Sequence, residues 1–485
     1  NQQETPVSSV TEHKTTYDYF TEEVSKISRP SGHLERINLY LHKFAEDHNL
    51  DCKEDAAGNI LITRGTNPVV TLQGHQDMVL AVADGKTFDY RTDDIKSYEK
   101  DGWIYADGTS LGADDGIGVA MALYILSSDT LRHGPLRAIF TANEEDGMDA
   151  INMDAAYFTG DYLINLDWEK QGSLCNSCAG GDFYIFSRNA NWQLPPVDSV
   201  SLNISLRNLM GGHSGSNIHL GRANALVSLA TAGALLRQGG IDFYIADFSG
   251  GQAPNAIPKS GKMTLVVDSA QADRAMRMLD EFAAQFSTAF HGVEDGYELS
   301  VSVERDIPPR VLSHEIGYDL IDLLVALPNN IHTMSPFVQN LVESSSNIGT
   351  VTVDDTQISL VNFARSSVEY HAVQLGTICE IIARRCGFIC KAENHIPGWA
   401  VNPDSMLVPM ACEAYRQLTG RDMVVEPIHA GVECGAFAQK NPHLDMISIG
   451  PTLSGVHTPD ECCYLEDVNL TTELLIAVLE KIAEF

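Results

Sequence analysis

His75 and Asp77 stand two residues apart, directly after the apolar run Val69-Val70-Thr71-Leu72. An imidazole placed there can bind a metal ion while the carboxylate holds the ring through its other nitrogen. Four later segments offer compatible chemistry. Leu111-Gly112-Ala113-Asp114-Asp115-Gly116 sets two acids before an apolar helix, and Asn143-Glu144-Glu145-Asp146-Gly147 sets two glutamates behind the run 136–141. Asp167 ends the run Tyr162-Leu163-Ile164-Asn165-Leu166, and His457 lies in a loop after the run 446–449. Taken singly, each has an ordinary reading: a hydrogen-bonded surface histidine, a helix cap, an exposed acidic turn. Taken together, two imidazoles and three carboxylates suit a borderline divalent ion, zinc first. An acid able to bridge admits two ions roughly 3.5–4 Å apart. A carboxylate left off the ions can accept a proton from a water they hold. Adjacent Glu144 and Glu145 can divide those jobs, because neighbouring side chains point in different directions.

The elements that must bring these groups together read as an open α/β sheet, whose ligand sites lie outside the carboxyl ends of the strands. Residues 17–51 read as two helices broken at Pro30-Ser31-Gly32, with Ile37, Leu41, Phe44 and Ala45 on one face of the second. Residues 59–64, 69–73, 136–141 and 162–166 read as strands, and 84–108 as a long polar connection. After Gly180-Gly181 the texture changes. Alternating segments at 201–207, 263–268 and 298–304, with helices between them, predict an inserted α+β domain over 195–394. It carries Gly211-Gly212-His213-Ser214-Gly215, Gly221-Arg222-Ala223-Asn224-Ala225, Asn255-Ala256-Ile257-Pro258 and Arg365-Ser366-Ser367. Gly211 to Gly215 can be only a tight turn, and Arg365 only one half of a surface pair. The first pattern resumes over 395–485, with His429-Ala430-Gly431-Val432-Glu433-Cys434-Gly435 and a closing amphipathic helix at 470–485, so 1–194 and 395–485 are expected to form one domain.

Composition excludes several classes. A chain of 485 residues predicts more than one folding unit. A net charge of −33 argues against nucleic acid, which needs a basic face, and most of it reads as solvated acidic surface. No run is apolar and long enough to predict a membrane span. Ten cysteines in this length are not a disulfide scaffold, so a reducing, cytoplasmic setting is expected. Cys175-x-x-Cys178 has no second pair at zinc-finger spacing, and adjacent Cys462 and Cys463 read as core thiols. Residues 1–16 are polar, show no signal-like run and lack an initiator Met, which predicts a processed or trimmed start from which a leader could have been removed.

His75-x-Asp77, Gly112-Ala113-Asp114-Asp115-Gly116, Glu144-Glu145-x-Gly147, Leu166-Asp167 and His457-Thr458-Pro459 resemble, in order, the metal motifs of the M20 metallopeptidases. The resemblance spans nearly the whole chain and includes Pro30-Ser31-Gly32. Ile164-Asn165-Leu166-Asp167, Cys178-Ala179-Gly180-Gly181, 211–215, Gly221-Arg222-x-Asn224-Ala225 and 429–435 look like the aminoacyl-histidine dipeptidase branch (peptidase D, bacterial carnosinase-like). Trp168-Glu169-Lys170 and Asp149 depart from that pattern, without removing a ligand.

The resemblance implies an α/β catalytic domain with a mixed, mostly parallel sheet and helices on both faces, plus an inserted α+β lid that carries a homodimer contact. It implies two Zn2+ per subunit, with Co2+ or Mn2+ able to substitute. His75 and Asp167 would bind one ion, Glu145 and His457 the other, and Asp114 both. Asp77 would orient His75, Glu144 would be the general base, and the Asp114–Asp115 peptide would be cis. His213 would stabilise the oxyanion, in the active site of the partner subunit; Asn255 and Arg365 would hold the substrate carboxylate or backbone, and Glu433 would meet the substrate's amino group. The implied activity is exopeptidase hydrolysis of dipeptides, of Xaa-His type with broad specificity, by a metal-bridging hydroxide, with lid closure limiting substrate length. The rivals are another M20-type tripeptidase or N-acyl amino acid amidohydrolase, and a catalytically silent metal-binding scaffold. The 178–181 and 429–435 runs favour the dipeptidase, and a silent protein would lack a ligand or the base, none of which is missing.

Overall fold

Every residue of the strand Val70–His75 is buried, as expected of a strand covered on both faces. In the computed structural model, which describes residues 14–147 and 149–485, this strand runs parallel to Leu136–Thr141 on one side and Tyr162–Asn165 on the other. Asp445–Ser448 continues the parallel order beyond Tyr162–Asn165. Ile60–Arg64 and Asp51–Glu54 extend the opposite edge antiparallel. The sheet is therefore mixed, six strands wide and parallel through its centre. Its register aligns His75 with Thr141, and Gln73 with Asn165, so the loops leaving these strands start from one edge. His75 is the last residue of its strand rather than the first beyond it. Of the polar stretch expected at 1–16, residues 1–13 lie outside the described residues.

The expected connection at 84–108 holds more structure than its polarity suggests. Ser97–Lys100 and Trp103–Ala106 form a hairpin, and Asp101 and Gly102 at its turn take φ of 52° and 82°. Two left-handed residues give the turn that matches strand twist. Trp103–Ala106 pairs onward with Cys462–Tyr464, which pairs with Leu453–Ser454. This small sheet anchors the loop carrying His457. Cys462 and Cys463 are buried thiols, as expected.

The helix Ala113–Ser127 is buried along nearly its whole length, and its start is shaped around Arg29. The Arg29 side chain is fully buried and donates from Nη2 to the Gly112 carbonyl and from Nη1 to the carbonyls of Val24 and Ile27. A Cβ on Gly116 would stand 2.5 Å from Arg29 Nη2 and 3.0 Å from Phe20 Cε2. The guanidinium cannot step aside without leaving its carbonyls. Gly116→Ala is thus expected to destabilise the fold: overpacking costs about 1–3 kcal/mol, and alanine's better helix propensity returns only about 1 kcal/mol. A thermal melt checks it; a variant as stable as the parent would show that Arg29 has room to move.

By its contacts the chain divides into two compact units, the first comprising the chain up to Ser177, Val401–Pro427 and Glu433–Phe485, the second Cys178–Ala400 and Ile428–Val432. The sequence pattern changes after Gly180-Gly181 but bounds the inserted domain at 195–394. The difference lies in Gly180–Asn189, which pairs with Gln357–Ser366 and Ile389–Ile396 inside the sheet of the second unit. That sheet has nine strands, antiparallel at every pairing, with Ser199–Arg207, Gly261–Asp268 and Val342–Val353 among them. The helices Ala225–Gln238, Ala272–Ala289, His314–Ala326 and Glu369–Arg385 belong to the same unit, an α+β arrangement. No described helix is long and apolar enough to cross a membrane.

Candidate metal centre

The first unit brings seven of the expected residues together. His75 Nε2 lies 2.9 Å from Asp114 Oδ1 and 3.5 Å from Asp167 Oδ1. His457 Nε2 lies 3.1 Å from Asp114 Oδ2 and 2.9 Å from Glu145 Oε1. Asp114 thus turns one carboxylate oxygen to each ring. Glu144 stands further off, with Oε2 3.9 Å from His75 Nε2. Ligand atoms of three overlapping trios, His75–Asp114–Asp167, His75–Glu144–Glu145 and Asp114–Glu145–His457, each lie within 4.8 Å of one another.

Local backbone chemistry holds these groups. The His75 ring has oxygens around Nδ1, the Asp77 carbonyl at 3.1 Å and Asp77 Oδ1 at 3.3 Å, so Nδ1 carries the hydrogen and Nε2 keeps its lone pair for a cation. Asp77 also accepts the backbone N–H groups of Glu144 at 3.0 Å and Glu145 at 3.1 Å, and the Ser31 hydroxyl at 2.6 Å. One carboxylate therefore orients the first imidazole and the glutamate pair. The Asp114–Asp115 peptide is cis, and both residues leave helical φ/ψ.

The electrostatics suit cations. Burial and neighbouring carboxylates push Glu144 and Glu145 up to about 8, and hold Asp115 and Asp167 well above the usual carboxylate range. Burial works to raise Asp114 too, but hydrogen bonds from His457 and His75 hold it well below that range. The Asp114 hydrogen bond raises His457 to about 9. Burial opposes charge on His75, yet Asp167 and Asp114 raise it well above the ordinary histidine value. Acids this crowded, beside two imidazoles that can exchange a proton for an ion, fit a divalent cation by charge and by donor type.

Glu433 lies in the same unit, almost fully buried. Its Oε2 accepts Gln73 Nε2 at 2.7 Å and Thr141 Oγ1 at 3.0 Å, while Oε1 has no hydrogen-bond partner among the described residues. The remaining expected residues gather in the second unit. His213 Nδ1 accepts the backbone N–H groups of Gly215 at 3.2 Å and Ser216 at 3.0 Å, and Arg365 Nη2 stands 3.5 Å from Nε2. Burial and the Arg365 charge lower this ring to about 4. Arg365 is buried, stacks 3.9 Å over Phe363 and donates to Ser214 Oγ at 3.2 Å. Asn255 is exposed and meets the loop by its carbonyl, which accepts Ser214 N–H at 2.9 Å.

Two residues of the first unit escaped the sequence reading. Glu461 accepts the backbone N–H groups of Gly112 at 2.9 Å and Asp114 at 3.1 Å, and Arg29 holds the Gly112 carbonyl. Both act on main-chain atoms far away in sequence, which leaves no local pattern to read.

The model of peptidase family M20/M25/M40 matches residues 71–481. The chain belongs to this family. Over 477 residues it is 32% identical to the cytosol non-specific dipeptidase of Escherichia coli (strain K12), covering 96% of this chain and 97% of that one. The crystal structure of an aminoacylhistidine dipeptidase from Vibrio alginolyticus superposes with a TM-score of 0.91 at 29% identity, covering 96% of both chains. A tripeptidase from Staphylococcus aureus shares the fold at a TM-score of 0.53 and 16% identity, over 97% of this chain and 98% of that one. M20 peptidases are metal-dependent, and the cluster around Asp114 has the donor set to hold a divalent ion.

Proposed function

We propose that this M20 peptidase is a dinuclear zinc dipeptidase, cleaving Xaa-His and other dipeptides with broad specificity. The observation that carries the reading is Asp114, one oxygen toward each imidazole, with Glu144 beside the pair at a longer distance. His75 and Asp167 would hold one ion, Glu145 and His457 the other, and Asp114 would serve both. Co2+ or Mn2+ can stand in for zinc. Ions bound there supply Lewis-acid polarisation of the scissile carbonyl and make water acidic near neutral pH.

The side chains do the rest. Glu144, anchored through its backbone by Asp77, takes the proton of the attacking water and passes it to the leaving amine. His213 donates from Nε2 to the developing oxyanion; its neutral ring, with Nδ1 already occupied, suits that task. Arg365 and Asn255 hold the substrate carboxylate or backbone. The unpartnered Oε1 of Glu433 meets the substrate ammonium. In this reading the first unit is the catalytic domain, with helices on both faces of its sheet. The second is the lid and the homodimer contact, and the enzyme works in the cytoplasm. The full-length likeness to two dipeptidases supports this over the tripeptidase and amidohydrolase readings.

The test is a panel assayed with zinc: β-Ala-His and Gly-His, a tripeptide, and an N-acyl amino acid. The dipeptides should show the highest kcat/KM. A tripeptide or an N-acyl amino acid turned over faster would move the assignment to the corresponding rival.

A further inference from the structure

The Asp114 loop and the His457 loop lie far apart in sequence, yet their backbones meet at one side chain. Glu461 is almost fully buried, and its two oxygens each take one backbone N–H of the Asp114 loop, Oε2 from Gly112 and Oε1 from Asp114 itself. The following peptide is held by Arg29, whose Nη2 donates to the Gly112 carbonyl. Gly112 is confined there: its φ is +72°, and a Cβ would meet Arg29 Nη2 and Met78 Sδ, both at 2.9 Å. The Asp114 loop is thus clamped between a buried acid and a buried base.

Glu461 is itself rigidly placed. Its own N–H donates to Thr458 O at 3.1 Å, and Thr458 N–H donates to Gly455 O at 3.2 Å, closing the turn around His457. Cys462, the next residue, enters the strand paired with Trp103–Ala106. A tug on the Glu461 carboxylate is therefore a tug on the His457 loop.

Resting on the paired-ion reading above, we infer that Glu461, braced through Gly112 by Arg29, is a positioning residue that couples the two ion subsites. It fixes the bridging carboxylate of Asp114 against the loop that brings His457, and so sets the span of the Asp114–Glu145–His457 subsite. The subsite of His75 and Asp167 also uses Asp114, but its other two residues come from a strand end and from just beyond one, away from this clamp, so an ion there keeps two fixed ligands. Loss of the clamp should weaken one ion selectively.

Glu461→Gln tests this, because the amide keeps the shape but turns an N–H toward one of the two backbone donors. The stripped parent, Glu461→Gln and Glu461→Asp are titrated with Zn2+ against a chromophoric chelator, with thermal melts of the metal-free proteins alongside. In Glu461→Gln the first equivalent should bind as in the parent. The second should weaken by about 10- to 100-fold, the usual consequence of losing an outer hydrogen-bond partner of a metal site. Turnover should fall at limiting free zinc and recover with added zinc, at unchanged KM. Glu461→Asp keeps the charge and both acceptors on a shorter arm, and should regain part of the second affinity. Parental affinity for both equivalents in Glu461→Gln overturns the proposal. So do equal losses at both, a loss of turnover that zinc does not restore, or an early melt with neither ion bound. A parent that takes up a single ion removes the paired-ion reading itself, and this proposal with it. Two ions in the parent and no change in the variant remove the proposal alone.

Discussion

Glu144→Gln is expected to keep the ion content of the parent while kcat falls by about 10²- to 10⁴-fold, the range attributed to a positioned acid–base group. The geometry separates the two adjacent glutamates. Glu145 Oε1 is 2.9 Å from His457 Nε2, as close as ligands of one ion must be, whereas the approach of Glu144 to His75 Nε2 is 3.9 Å. Asp77 holds both backbones through its two carboxylate oxygens, so the side chains diverge from a fixed pair of amides. An amide at 144 has nearly the same volume and cannot accept a proton. Ion binding and KM should therefore hold while the proton-transfer step fails. Metal analysis beside steady-state kinetics reads both. Retained turnover would transfer the base role to another residue; loss of an ion would make Glu144 a ligand.

The clustering was legible for His75, Glu144, Glu145 and Asp167 because each ends or follows a buried apolar run, and parallel strands with aligned register must deliver such residues to one edge, whereas Asp114 opens an apolar helix and His457 lies in a loop. The supporting residues were not. Arg29 and Glu461 make their decisive bonds to the backbone around Gly112, 83 and 349 residues away, and nothing local marks them. The hairpin before Ala106 was hidden for another reason. Ser97–Lys100 is mostly exposed and reads as polar loop, although Asp101-Gly102 was a hairpin signal. The units divide before Gly180–Asn189 rather than at 194/195, because only pairing shows which sheet this strand joins.

A common device emerges from these unread contacts. Asp77 takes the amides of Glu144 and Glu145, and Glu461 those of Gly112 and Asp114. In the second unit, buried Glu294 takes the amides of Met210 and Ala223, which flank the His213 turn. Each is an acid gripping two backbone donors of a functional loop. Charge-assisted bonds to main chain are stronger than neutral ones and leave the functional side chain free. Much of the acidic excess is solvated surface, but these buried acids hold loops in place.

Asp114→Asn is expected to abolish measurable turnover and to cost at least one bound ion. Asp114 offers an oxygen to each imidazole, at 2.9 Å to His75 and 3.1 Å to His457. An asparagine leaves one oxygen and turns an NH2, which cannot ligate, toward the other ring. The substitution also changes how protons compete with ions. In the metal-free protein His457 is raised to about 9, first by its hydrogen bond to Asp114, so at pH 7 the ring holds a proton that an incoming ion must displace. Apparent affinity at this subsite should then rise as pH increases from about 6 to 9, with protons released on binding. Without the carboxylate, His457 should titrate closer to an ordinary histidine, and the pH dependence should flatten above about pH 7. Zinc titrations in buffers of different ionisation enthalpy measure both the affinity and the proton count. An Asp114→Asn protein that binds two ions with the parental pH slope would show that the bridge lies elsewhere in the acidic cluster.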